Sequence, residues 1–103
     1  MPRLMTLCHT TPTANLSAIL SRGLLTCASG GAKPVVWLAA VRLTAWAITH
    51  VAKHHRSQGL STLTVQVPRT WLRKTAKRGV WLCVCNIHPR HFLGIDLRAG
   101  KAA

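Results

Sequence analysis

A chain of 103 residues with 14 Lys and Arg and a single acidic side chain, Asp96, carries a formal charge of +13 that it cannot offset internally. That imbalance limits its chemistry and makes a polyanion, nucleic acid or a ribonucleoprotein, the expected partner. Hydrophobic content of 49% is enough for the core of one domain spanning residues 1–103. The longest mostly apolar stretch, Val35 to Ala52, is broken by Arg42, Thr44, Thr49 and His50, short of the ~20 apolar residues a membrane span needs. The N-terminus lacks the apolar core and small-residue cleavage site of a secretory leader, so a cytoplasmic protein with no membrane partner is expected.

Arg3 to His9 reads as a strand that Thr10-Thr11-Pro12 breaks. Thr13 is placed to cap a helix from Ala14 to Arg22, with Leu16, Ile19 and Leu20 on one face and Gly23 as a left-handed stop. The segment 28–34, polar and glycine-rich, is expected to be a flexible loop. Val35 to Ala39 is a short buried strand, and Thr44 caps a helix through about His55 that Gly59 closes.

Leu60 to Val67 alternates apolar and polar side chains, the pattern of a strand with one solvated face. Pro68 suits the first turn of a short helix, Arg69 to Lys74. Gly79 to Asn86 is another strand, His88 to His91 a turn, and Phe92 to Leu97 a last strand ahead of a disordered tail at 99–103. Two to three helices with about five strands, in no regular βαβ series, imply an α+β fold.

Four cysteines, Cys8, Cys27, Cys83 and Cys85, have the number for two disulfides, but without a secretory signal a reduced state is expected. Cys83 and Cys85 should share one face of a strand, packed as small hydrophobes. His50 and His54 stand four apart on one helix face, a zinc-compatible spacing that Cys83 or Cys85 with His88 or His91 could complete. With almost no acid to orient the imidazoles, a solvated helix end is the reading taken, and no metal is expected. Cys8 and His9 are adjacent on a strand and point to opposite faces, which excludes a nucleophile–base pair.

The order of several short motifs resembles the ADP-ribosyltransferase superfamily. Leu7-Cys8-His9-Thr10-Thr11, then Asn15-Leu16, Ile19-Leu20 and Gly23-Leu24, is similar to its first strand, His-x-Thr signature and first helix. Val36-Trp37-Leu38 resembles its second strand, Leu63 to Pro68 its central strand, and Val80 to Pro89 its late strand and Ile-x-Pro turn. The likeness implies a small split β-sheet core and NAD as the cofactor. It implies His9 on the adenosine-side ribose, Thr10 where the backbone holds the nicotinamide amide, and Trp37 in the place of a Tyr that stacks on the nicotinamide ring. Read from the residues alone, His9 and Trp37 are equally core side chains and Thr10 a turn former.

The chain departs from the family's pattern where many members place a late-strand glutamate. Lys77-Arg78-Gly79-Val80-Trp81 holds no acid there, and Asp96 is expected to pair with a nearby Arg. The RNA 2′-phosphotransferase branch resembles this chain in relying on arginines and histidines, and it carries an N-terminal winged-helix domain beyond the likeness. By chemistry, His9, Arg22, Arg42 and Arg69 are the candidate catalytic residues. Arg69, Trp71, Arg73, Lys74, Lys77 and Arg78 form a dense basic cluster in which Trp71 would stack on an unpaired base; the alternative is that Trp71 and Leu72 are the buried face of a short helix whose charges are simply solvated.

Two readings follow. One is an ADP-ribosyltransferase-like enzyme that binds NAD through His9, Thr10 and Trp37 and acts on nucleic acid or a ribonucleoprotein. The other is a non-enzymatic basic protein that binds nucleic acid or blocks a ribonucleoprotein, as a small phage-encoded inhibitor would.

Overall fold

The computed structural model describes residues 3–26, 35–54 and 59–98. The expected loop at 28–34, the tail at 99–103, Cys27 and His55 lie outside them. In chain order the elements are β1 (Leu4–Pro12), α1 (Leu16–Arg22), β2 (Val36–Ala40), α2 (Thr44–Ala52), β3 (Leu60–Pro68), β4 (Leu72–Lys74), β5 (Val80–Cys83) and β6 (Phe92–Arg98). Short 3-10 turns at Thr13–Asn15, Val41–Leu43, Arg69–Trp71 and Pro89–His91 lead into four of these elements. The strands form an antiparallel sheet of order β4-β5-β2-β1-β3-β6, and with the two helices this is an α+β fold.

The joint between β1 and β2 positions the site. β1 pairs with β3 along its whole length, from Leu4 opposite Pro68 to Pro12 opposite Leu60. With β2 it pairs only at Leu7–Ala40 and Cys8–Ala39. Beyond Cys8 the ladder stops, so the sheet opens into two halves, β4-β5-β2 and β1-β3-β6.

Strand alternation divides the core between two faces. Leu7, Val36, Leu38, Leu63, Val65, Val67 and Cys83 face one side, where Leu16 and Ile19 of α1 pack against them together with buried Leu24 and Ile87. Cys8 and Ala39 face the other, under Ala47 and Trp46 of α2. Since adjacent strand residues point oppositely, the two helices cover opposite faces.

Several boundaries differ from the sequence expectations, each for a local reason. β1 continues through Thr10-Thr11-Pro12, because those residues pair with Thr62, Ser61 and Leu60, and the Thr10 and Thr62 hydroxyls meet at 3.1 Å. Thr13 does not cap α1; its hydroxyl is 2.7 Å from that of Ser61, and the helix begins at Leu16. Thr44 is already helical, and its hydroxyl donates back to the Val41 carbonyl at 2.7 Å. The helix expected at Arg69–Lys74 is a 3-10 turn followed by β4, since Leu72 is buried opposite Cys83 of β5. Gly23 does end α1, with φ +89° and its N–H on the Ile19 carbonyl at 2.7 Å.

Among the described residues, no helix is long and apolar enough to cross a membrane.

Candidate functional site

His9 is the first residue of β1 past the point where pairing with β2 ends. Its Nδ1 lies 2.8 Å from the Trp37 carbonyl, so the ring spans the opening between the half-sheets. A carbonyl only accepts, which puts the proton on Nδ1 and leaves Nε2 of the neutral ring as an acceptor. Desolvation pushes the imidazole pKa below the ordinary histidine range, and the bond to the Trp37 carbonyl pulls weakly the other way. The neutral ring is therefore the form the fold prefers.

A consequence for stability follows from that direction. A histidine with a lowered folded-state pKa contributes stability that is complete above its unfolded pKa, about 6.5, and is lost as pH falls below it. Between about pH 7.5 and about pH 5, thermal denaturation should show a larger drop in Tm for wild type than for His9→Gln, whose amide can still donate to Trp37. Parallel curves for the two proteins would exclude His9 as the source.

A cleft opens on each side of His9. The one beside α1, ≈ 600 Å³, is lined by Thr11, Asn15, Ile19, Arg22 and Val36 together with His9, Thr10 and Trp37. The one beside α2, ≈ 730 Å³, shares those last three residues and adds Trp46, His50 and Lys77. Both fall in the size range of small-ligand sites. Trp37 is 54% exposed, so its indole is open to a ligand instead of sealing the core. Asn15 donates to the Thr11 hydroxyl at 3.3 Å, tying the start of α1 to the cleft floor.

Of the four candidate catalytic residues, the fold brings two together. His9 and Arg22 line the same cleft. Arg42 is exposed in the turn before α2, with its guanidinium close to Gly79, and lines neither cleft. Arg69 sits at the far end of β1, its N–H on the Arg3 carbonyl at 2.8 Å and its guanidinium 5.1 Å above the Trp81 ring. Its neighbour Met5 stands four positions before His9 on β1, about 13 Å along the strand. Chemistry alone selected these arginines, and sheet order disperses them.

The basic cluster is divided in the same way. Trp71 is half-buried, packs against the core and meets the His91 ring edge-to-face at 5.3 Å. Arg73 stays exposed on the edge strand and donates to the Thr70 and Leu72 carbonyls, each at 3.0 Å. Lys74 and Arg78 are exposed as well. Lys77 turns into the α2-side cleft, with its Nζ 4.7 Å from the Trp46 ring centre. Trp46 in turn stacks on His50, centroids 5.1 Å apart at 18°. The i, i+4 spacing that marked His50 and His54 as a possible metal pair also joins Trp46 to His50. Among the described residues, no three His, Cys, Asp or Glu side chains are grouped to hold a metal.

No acidic side chain lines either cleft. Asp96 lies opposite Thr62 on β6, and β2, β1 and β3 intervene between β6 and β5. At ~4.8 Å per strand this places its backbone about 19 Å across the sheet from the late strand. Cys8, Cys83 and Cys85 are free thiols; Cys83 donates to the Cys85 carbonyl at 3.3 Å, and burial raises its pKa, which makes it a poor nucleophile. No protein-family model matches the chain, and no curated protein matches it.

Proposed function

We propose that this chain is an ADP-ribosyltransferase-like protein that binds NAD across the sheet opening and acts on a nucleic acid or ribonucleoprotein in the cytoplasm. The observation that carries this reading is His9, held in one tautomer by the Trp37 carbonyl between two clefts. Its Nε2 would accept from a ribose hydroxyl of the adenosine end. Arg22, on the α1 side, would face the diphosphate, and the open indole of Trp37 would stack on the nicotinamide. The Thr10 backbone, at the same opening, would hold the amide.

A specific observation favours the second reading, a non-enzymatic binder. Breaking the nicotinamide bond builds positive charge on the ribose, which a carboxylate stabilises and an ammonium opposes. The α2-side cleft holds Lys77 and no acid. The 2′-phosphate variant of the chemistry calls for several cations at the cleft, and with Arg42 and Arg69 elsewhere it rests on His9 and Arg22.

Calorimetric titration with NAD tests the cleft. Wild type should give heat, and His9→Ala and Trp37→Ala should each weaken binding by about tenfold, the equivalent of one well-placed hydrogen bond or stacking contact. No heat from folded wild type would rule out the NAD reading. Heat with no release of nicotinamide, with or without nucleic acid, would leave a binder and remove the enzyme.

A further inference from the structure

We propose that the part of the sheet beside α2 is the path of a single-stranded nucleic acid, with one unpaired base on Trp37 and backbone phosphates at Lys77 and Arg73. This deepens the functional reading by giving the acceptor a chemical class, and in that respect it rests on it.

Helix α2 lies over β1, β3 and β2, at one side of its face of the sheet. On that same face the register sets Trp37, Leu82 and Arg73 in one row across β2, β5 and β4. Directly opposed residues share a face, and Trp37 alternates with Ala39, which packs on α2. The row runs from an open indole, through half-buried Leu82, to an exposed guanidinium at the sheet edge.

Lys77 walls this strip on the side of the β4–β5 turn. Thr75 organises that turn: its hydroxyl accepts from the Lys77 N–H at 3.2 Å and lies 2.9 Å from the Val80 carbonyl, to which it can donate. The ammonium is thereby held at Trp46, at the mouth of the cleft.

Charge complementarity names the occupant. A strip of aromatic and apolar surface bordered by cations, on a chain with 14 Lys and Arg and one carboxylate side chain, fits a polyanion that also carries flat apolar rings. Only an unpaired strand offers both, because a duplex hides its base faces and would meet the cations alone. The strip and the NAD cleft share Trp37, so the indole takes a base when NAD is absent and the nicotinamide when it is bound, the strand then being held at Lys77 and Arg73 beside the reacting end.

Fluorescence anisotropy without NAD tests this. Labelled oligothymidylate and oligouridylate of about 12 nucleotides are compared with a blunt duplex of the same length. Both single strands should bind more tightly than the duplex, and Trp37→Ala should weaken them by about tenfold. Lys77→Ala and Arg73→Ala should each flatten the dependence of log K on log salt by about 0.7, one phosphate contact. Arg90→Ala, an exposed cation in the turn before β6, should leave that slope unchanged. Circular dichroism confirms that these surface variants fold.

A duplex bound as well as the single strands, with Trp37→Ala indifferent, would overturn the proposal in favour of diffuse charge. An Arg90→Ala effect equal to that of Arg73→Ala would do the same. Arg73→Ala lies outside both clefts and should bind NAD like wild type. Strand binding as described with no NAD heat would therefore sink the NAD reading alone, and the reverse would sink this one alone.

Discussion

Gly23→Ala is expected to destabilise the protein by roughly 3 kcal/mol or more, lowering Tm by about 12 °C or more in a thermal melt. Two independent costs meet at this position. Its φ of +89° with ψ of −175° is a conformation that residues with a Cβ avoid. A Cβ built there would also lie 2.2 Å from the Ile87 carbonyl oxygen, 3.1 Å from its carbon and 3.2 Å from the His88 Cα, all backbone atoms with no rotamer to change. Relief would require moving the bridge in which Leu24 N–H donates to Ile87 at 2.9 Å and Ile87 N–H donates to Leu24 at 2.8 Å. Both residues are buried in the larger core, so the bridge cannot shift without opening packing around α1. Gly94→Ala is the control: nothing lies within 4 Å of its Cβ position, and a near-neutral effect is expected. Equal melting temperatures for the two variants would remove the argument.

How far the sequence reveals the fold depends on whether a residue's role is local. Alternation in Leu60 to Val67 marks a strand, a local property, and Leu63, Val65 and Val67 are buried on one face, but the opposite face is not solvated: Leu60 and Thr62 are buried there and Thr64 and Gln66 half-buried. The stop at Gly23 was legible because it too is local, whereas its contact with Ile87, 64 positions later, was not. Thr10-Thr11-Pro12 carries turn chemistry yet lies in a strand, since pairing with Leu60 to Thr62 outweighs the local preference. Pro68 did announce a helical turn, but burial of Leu72 against Cys83 turned what followed into a strand.

The same distinction governs the site. His9 and Trp37 came from the order of motifs along the chain, and the fold places them at one opening. Arg42 and Arg69 came from charge type alone, and nothing local to them reports which end of the sheet they occupy. The pairing of Trp46 with Lys77 joins residues 31 apart, and it depends on where the β4–β5 turn lies relative to α2. Alternation on either side could not supply that relation.

Raising salt from about 10 mM to about 150 mM is expected to raise the Tm of the partner-free protein, whereas the proposed binding to nucleic acid should weaken over the same change. The radius of gyration is 12.9 Å. At the lower salt the Debye length, about 30 Å, exceeds that radius, and the cations repel one another across the whole molecule; at the higher it is about 8 Å, and only neighbours interact. With one carboxylate side chain against 14 Lys and Arg, screening must do what internal ion pairs do elsewhere. Binding responds with the opposite sign, because each phosphate contact releases counterions from the strand. Six contacts, fewer than half of the cations present, give a log–log slope of about −4 and about 300-fold weaker binding between roughly 50 and 200 mM salt. A melting series and an anisotropy series in the same buffers measure both. A Tm that falls with added salt would show that repulsion does not limit the fold, and a slope shallower than about −2 would mean that fewer than three phosphates are held. If both signs appear, a bound polyanion must also stabilise the fold by mass action, so the charge that strains the free protein is the charge that its partner relieves.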